Sequence, residues 1–110
     1  MPAPTTLRLI GAPTDIGAGS RGASMGPEAL RVAGLAAALT ARGLIVHDDG
    51  NLPGPPNPWL PPLDGYRHLP EVLAWNAAVR DAVAATLRAH EFPLLLGGDF
   101  TGGFVLNIRQ

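Results

Sequence analysis

Residues 71–99 read EVLAWNAAVRDAVAATLRAHEFPLLLGGD. Val72, Trp75, Val79, Val83 and Leu87 recur at spacings of three and four, with Glu71, Arg80, Asp81 and Arg88 on the other faces. Side chains spaced in this way line one side of an α-helix, so the stretch is predicted to be an amphipathic helix that buries the apolar stripe. Phe92 to Leu96 is an apolar run too short for a helix and is closed by Gly97-Gly98-Asp99. It reads as a buried strand. A helix that leads directly into a buried strand is the second half of a βαβ unit.

The same alternation extends toward the N-terminus. Leu7 to Ile10 is a short apolar run ended by Gly11 and Pro13, a first strand. A Gly- and Ser-containing loop from Thr14 to Met25 leads to Gly26-Pro27-Glu28. There Gly can cap, Pro suits the first helical position, and Glu favours the positive end of the helix dipole. That helix is predicted to run to about Ala41, with a possible break at Gly34 and an end at Gly43. Leu44 to Val46 makes a second short strand leading into His47-Asp48-Asp49-Gly50. Residues 52–70 hold seven of the 12 prolines, which excludes regular structure there because proline lacks a ladder donor and cannot continue a helix. So long a connection in a compact domain reads as a surface loop with a role of its own. Strand, helix, strand, helix, strand predicts an α/β fold: a parallel sheet of about three strands joined by right-handed crossovers, with helices packed on it.

Composition narrows the function classes. A chain of 110 residues has room for one small domain, burying about 65% of the surface its unfolded form exposes. Apolar residues make up 46% and charged residues 15%, a balance that favours a core over disorder. The net charge of −1, with all basic residues Arg and no basic cluster, gives no pull toward nucleic acid or anionic membrane. With no cysteine, this stretch has no disulfide, thiolate metal site or cysteine nucleophile. No signal peptide is visible over Met1–Thr6, and no apolar segment approaches the roughly 20 residues that span a bilayer, so the expected compartment is cytoplasmic.

Three motifs carry chemistry or its appearance. Gly17-Ala-Gly19-Ser-Arg-Gly22 fits G-x-G-x-x-G letter for letter. In the dinucleotide fingerprint, however, the glycines sit on the strand-to-helix turn itself. Here Gly17 stands well past Ile10 and Pro27 restarts the helix after Gly22, so the dinucleotide reading is set aside. His47-Asp48-Asp49 lies where open α/β sheets bind ligands, beyond a strand's carboxyl end, and holds metal-compatible donors. Successive side chains of an extended chain point to opposite sides, which keeps the three from converging on one ion. His68 and His90 read as loop and helix-end residues, solvated or capping. Gly97-Gly98-Asp99 closes a strand with room for backbone to approach a ligand and with Asp99 placed to project into the crevice; on the triplet alone a plain strand-ending turn is the favoured reading.

In order, Gly11-Ala-Pro13, Asp15-Ile-Gly17, Arg21-Gly22, Gly26-Pro27, Leu30-Arg31, Gly34-Leu35, Asp49-Gly50-Asn51-Leu52-Pro53 and Leu95-Leu96-Gly97-Gly98-Asp99 resemble the opening of the arginases. The form Arg-Gly-x-x-x-Gly-Pro is closer to arginases than to agmatinases. The resemblance covers residues 7–99 and implies part of a three-layer fold. It also implies a manganese-dependent hydrolase that cleaves the guanidino group of L-arginine to ornithine and urea, using a hydroxide shared by two Mn²⁺ ions. Asp15, Gly17, Arg21, Gly22, Gly26, Pro27, Gly97 and Gly98 are its motif residues, with structural roles expected and none assigned to catalysis.

The family places a metal-ligand His directly after Gly-Gly-Asp, where this chain has Phe100, and then continues into a helix, where this chain has Thr101-Gly102-Gly103. Of the expected ligands only Asp99 remains as a weak candidate, and the later ligand segments are missing. Residues 1–99 thus read as an arginase-like segment and 100–110 as a divergent tail, with Phe104–Ile108 a candidate extra strand. The expectation is a truncated chain that alone neither binds the family's manganese nor is active. Its alternative is a remnant or interaction module that self-associates, or pairs with another chain, through an exposed sheet edge.

Overall fold

The computed structural model describes residues 5–14, 25–61 and 68–97. In chain order these form β1 (Thr6–Gly11), α1 (Gly26–Val32), α2 (Leu35–Ala41), β2 (Ile45–Asn51), α3 (Leu69–Arg88) and β3 (Phe92–Leu96). The three strands make one parallel sheet in the order β2-β1-β3.

The order fixes the layers. The chain leaves β1 for β2 on one side and returns past β1 to β3 on the other, and right-handed crossovers then place the two connections on opposite faces. Accordingly, Arg31 of α1 reaches β2 on one face, while Trp75, Val79 and Val83 of α3 enclose Ala12 on the other. The central strand is covered on both sides, and Leu9 and Ile10, which point to opposite faces, are 0% and 1% exposed. A buried side chain of this size stabilises the fold by about 1.5–3 kcal/mol.

Most of the expected elements stand, with two differences. The possible break at Gly34 is present: its φ of 92° lies in the left-handed region, so α1 and α2 are separate. Helix α1 has Met25 at its N-cap and Gly26 as its first helical residue, so Gly26 does not cap; Pro27 is in the first turn and fully buried. Strand β2 is longer than Leu44–Val46: His47, Asp48 and Asp49 belong to the strand rather than lying beyond its carboxyl end. Its pairing with β1 runs from Thr6↔Ile45 to Gly11↔Asn51. Residues 52–61 have no regular structure, and α3 starts at Leu69 with Pro70 in its first turn.

Among the described residues β3 is an edge strand, and its outer side is blunted. Ala12 donates to the Leu96 carbonyl (2.8 Å), which turns Phe92, Leu94 and Leu96 toward β1 and Pro93 and Leu95 outward. Proline's missing N–H therefore faces the open edge, where it costs the sheet nothing and denies a donor to an added strand. Phe104–Ile108, the candidate extra strand, lies outside the described residues.

Candidate functional site

A reversal of strand order leaves a crevice at the carboxyl ends of the two strands that flank it, and open α/β sheets bind their ligands there. In this chain those strands are β1 and β3, so the crevice is bounded by Gly11–Thr14 and by Leu96–Gly97. The Ala12 N–H bonds Leu96 across it and the Thr14 N–H turns back to the Ala12 carbonyl at 2.9 Å, which tightens the chain as it leaves the sheet. Gly97 stands at this mouth. Gly98, Asp99 and Phe100, and likewise Asp15, Gly17, Arg21 and Gly22, lie outside the described residues.

Beside the mouth, one arginine ties three elements together. Leu9 pairs with Asp48 but Gly11 pairs with Asn51, so β2 carries one extra residue at this point. Gly50 takes it up with a φ of 76°. In a regular strand, residues 48 and 51 would face opposite sides; the extra residue brings both toward α1. There Arg31 grips Asp48 with two bonds (Nε to Oδ2 2.9 Å, Nη2 to Oδ1 3.1 Å) and reaches Asn51 Oδ1 (2.6 Å) and Glu28 Oε1 (2.7 Å). Gly11 lies directly beneath: a Cβ there would collide with the Asn51 side chain and crowd the Arg31 guanidinium. The Arg31 hydrogen bonds hold the Asp48 carboxyl below the usual carboxylate range. Partial desolvation opposes the shift and the Gly50 N–H assists it.

Asp49 points the other way. It pairs with Arg8 Nη1 (2.6 Å), whose Nε also bonds Glu91 (2.6 Å) beside Ala82, Ala85 and Thr86 of α3. The Arg8 bond lowers the Glu91 carboxyl, and the bonds to Glu91 and Asp49 raise the Arg8 guanidinium. His47, Asp48 and Asp49 are thus distributed over two faces, as the alternation of an extended chain requires. Among the described residues no three His, Cys, Asp or Glu side chains are grouped to hold a metal.

The proline-rich strap lies over the crevice end of α3. The Trp75 indole N–H donates to the Pro55 carbonyl (2.8 Å), and Gly54 lies flat on the same ring, where a Cβ would collide. His68, the N-cap residue of α3 with a φ of 53°, is 7% exposed and receives the Leu60 N–H on Nε2 (2.9 Å). It holds the N-cap position without a side-chain cap bond, so it is neither capping nor solvated but buried. His90 is exposed past the end of α3. Between the two ties, Pro55, Pro56, Asn57 and Trp59 form one wall of a cleft of about 380 Å³ whose other walls are Pro13, Thr14 and Trp75.

Of the motif residues within the described part, Pro27 is a packing residue and Gly97 borders the mouth. The Arg31 hub, the Arg8 ion pairs and the Trp75 tie were not assigned from sequence. The only trace of the last is a glycine among prolines facing a helical tryptophan.

A parallel sheet between helices on both faces, with a mouth at its strand-order reversal, defines an α/β protein of the three-layer class. The arginase family model matches residues 5–102, and the chain belongs to that family. It is 38% identical over 93 residues to the arginase of Brucella melitensis and 34% identical over 93 residues to that of Brevibacillus brevis. Each alignment covers 84% of this chain, and 30% and 31% of those proteins respectively. The crystal structure of Bacillus subtilis arginase superimposes with a TM-score of 0.71 at 35% identity, and that of Bacillus caldovelox arginase with 0.75 at 30%. The chain spans about a third of the length of the relatives it matches.

Proposed function

We propose that these residues form the opening βαβαβ portion of an arginase-type hydrolase, acting on the guanidino group of L-arginine, and that alone they do not carry out the reaction. What supports the first part is the family match, together with a fold that places the family's glycine-rich strand end, Gly97, at the mouth between β1 and β3.

Manganese is the metal of the reaction the resemblance implies, and the donors of this stretch do not fit it. Among the described residues the mouth is lined by Gly11, Ala12, Pro13, Thr14 and Gly97, of which only Thr14 has a side-chain oxygen, and in the sequence Phe100 holds the place after Gly97-Gly98-Asp99 where the family has an imidazole. Asp48 and Asp49 are committed to Arg31 and Arg8. No step through a metal is therefore assigned to these residues. Their part is structural: Arg31 fixes the ends of β1 and β2, and the strap covers the neighbouring face of α3.

Two measurements test this reading. Urea release from L-arginine by the folded chain should be absent with and without Mn²⁺, and metal-dependent turnover would refute inactivity. Residues 5–99 exchanged for the matching segment of Bacillus subtilis arginase should leave that enzyme active; a folded but dead chimera would refute the structural role.

A further inference from the structure

We propose that Asp49-Gly50, on the bulge of β2, is a covalent modification site: a latent point of aspartate isomerisation that Arg8 and Asp48 hold closed in the folded chain. This goes beyond the hydrolase role and does not depend on it.

The reaction needs no partner but water. The Gly50 nitrogen attacks Cγ of Asp49, the new N–C bond closes a five-membered succinimide, and the Cγ–O bond breaks. The Gly50 N–H proton leaves with the hydroxyl of the protonated carboxyl as water. Water then adds back to either carbonyl of the ring. Addition at Cγ restores aspartate, and addition at the former main-chain carbonyl leaves the backbone running through Cβ and Cγ as isoaspartate. Glycine is the residue that hinders this attack least, because no Cβ shields its nitrogen. Among the described residues the other aspartates, Asp48 and Asp81, precede Asp49 and Ala82, which carry that Cβ.

The fold requires the reactive pair and restrains it at once. Gly50 takes up the extra residue of β2 with a φ of 76°, where another residue would be strained. Among the described residues β2 is an edge strand, and the Asp49 side chain is 43% exposed, so water reaches the site. The two reacting groups, however, are held on opposite sides of the strand. Arg8 Nη1 grips Asp49 Oδ1 (2.6 Å) on the α3 face and is itself anchored by Glu91 (2.6 Å). The Gly50 N–H donates to Asp48 Oδ1 (2.8 Å), and Asp48 is bound by Arg31 on the α1 face. Ring closure requires Asp49 to leave Arg8, Gly50 to leave Asp48, and the Asp49 backbone to rotate out of the extended conformation of β2. That is a local opening of an edge strand, which costs far less than global unfolding. Isoaspartate at 49 would add one backbone atom between Asp48 and Asn51, the two residues of β2 that Arg31 holds in place.

The sequence supplies its own reference. Asp64-Gly65 is the same dipeptide, and cleavage after Arg42 and Arg67 releases both pairs on the single tryptic peptide 43–67. The chain is incubated at neutral pH, folded or in urea, and isoaspartate is assigned to either position by electron-transfer fragmentation of that peptide. In urea the two dipeptides should isomerise at comparable rates. In the folded chain Asp49 should convert more than about tenfold more slowly than in urea. Arg8→Met, with far-UV circular dichroism unchanged, should speed conversion at Asp49 by about two- to fivefold, the factor an exposed ion pair contributes. Arg8→Lys, which keeps the charge without the fork, should fall between. The inference is overturned if Asp49 converts as fast folded as in urea, if folded Arg8→Met is no faster than the parent chain, or if Asp64 converts in urea and Asp49 does not. The first and last comparisons use the unaltered chain, so they decide the matter even where Arg8→Met does not fold. Because no turnover is read, failure here leaves the hydrolase proposal intact, and absence of urea release leaves this one intact.

Discussion

The two faces of the sheet are covered by different means. On the α3 face a single 20-residue helix buries one apolar stripe, with Val79 at 0% exposure and Trp75 and Val83 at 5%. On the other face two seven-residue helices meet at a left-handed glycine, and α2 has no buried residue. That face buries Leu7, Leu9 and Pro27, and Arg31 with its three partners ties α1 to the strand ends. Non-directional apolar packing tolerates small shifts and retains its strength in salt. A hydrogen-bonded arginine fixes positions closely, yet its half-exposed ion pairs add little net stability. The α3 layer should therefore hold the fold, while the α1–α2 layer sets where β1 and β2 end.

The largest effect that could break this contrast is at Trp75. Trp75→Ala removes a buried ring and the tie to Pro55, a loss of about 3–5 kcal/mol. Against a total stability of about 5–15 kcal/mol, that should abolish or sharply lower the cooperative urea transition followed by circular dichroism. Trp75→Phe keeps most of the ring and loses mainly the hydrogen bond, so about 1 kcal/mol is expected. If Trp75→Ala costs no more than removal of the Arg31 side chain, the two faces do not differ as described.

Next is Gly54→Ala. Its new methyl meets the Trp75 ring, so the strap must move or the ring must turn. A loss of about 1–3 kcal/mol is expected, with a shift in tryptophan emission. Unchanged emission at full stability would show that the strap is not seated on the ring.

The α3 layer was also the legible one. Periodic burial writes itself into sequence, and Val72, Trp75, Val79, Val83 and Leu87 disclosed the helix, the strand after it and the parallel sheet. The Gly34 break was legible for a related reason, since glycine is the residue that takes φ of 92° without strain. What stayed hidden lay on the other face. His47-Asp48-Asp49-Gly50-Asn51 has a composition depleted in strands, and it forms one because β1 supplies backbone partners and Arg8 and Arg31 neutralise its carboxylates. Those arginines lie 41 and 17 residues away in the chain, and no local pattern links them. Arg31 could be read only as part of a family motif, without a role. The mouth of the site could be placed from Gly97-Gly98-Asp99, whereas the cleft needed the three-dimensional meeting of a strap and a helix.

Gly34→Ala probes the joint between α1 and α2. Among the described residues no atom beyond its local backbone lies within 4 Å of the position where its Cβ would be, so the expected loss is one of backbone conformation. About 1 kcal/mol is expected, and Gly34→Asn should cost less because asparagine tolerates the left-handed region. Equal costs for the two would place the penalty in packing after all.

The smallest effect is electrostatic, and its sign is fixed. Asp48 in the folded chain titrates below its ordinary value of 3.8, chiefly because of Arg31. A depressed carboxylate contributes stability that is fully present above the unfolded value and is lost as pH falls through the folded one. Arg31→Met should remove that contribution while keeping part of the side chain's volume. With the Asp48 side chain 35% exposed, the loss at neutral pH is about 1 kcal/mol or less and declines with added salt. Urea midpoints of the two proteins should therefore differ by a constant amount above about pH 5 and converge on acidification below the ordinary carboxylate range. Glu91, lowered by Arg8 in the same direction, remains in both proteins and cancels from the comparison. A gap that persists undiminished into acid would assign Arg31's role to packing and to its neutral bond with Asn51. The two faces would then rest on the same kind of force.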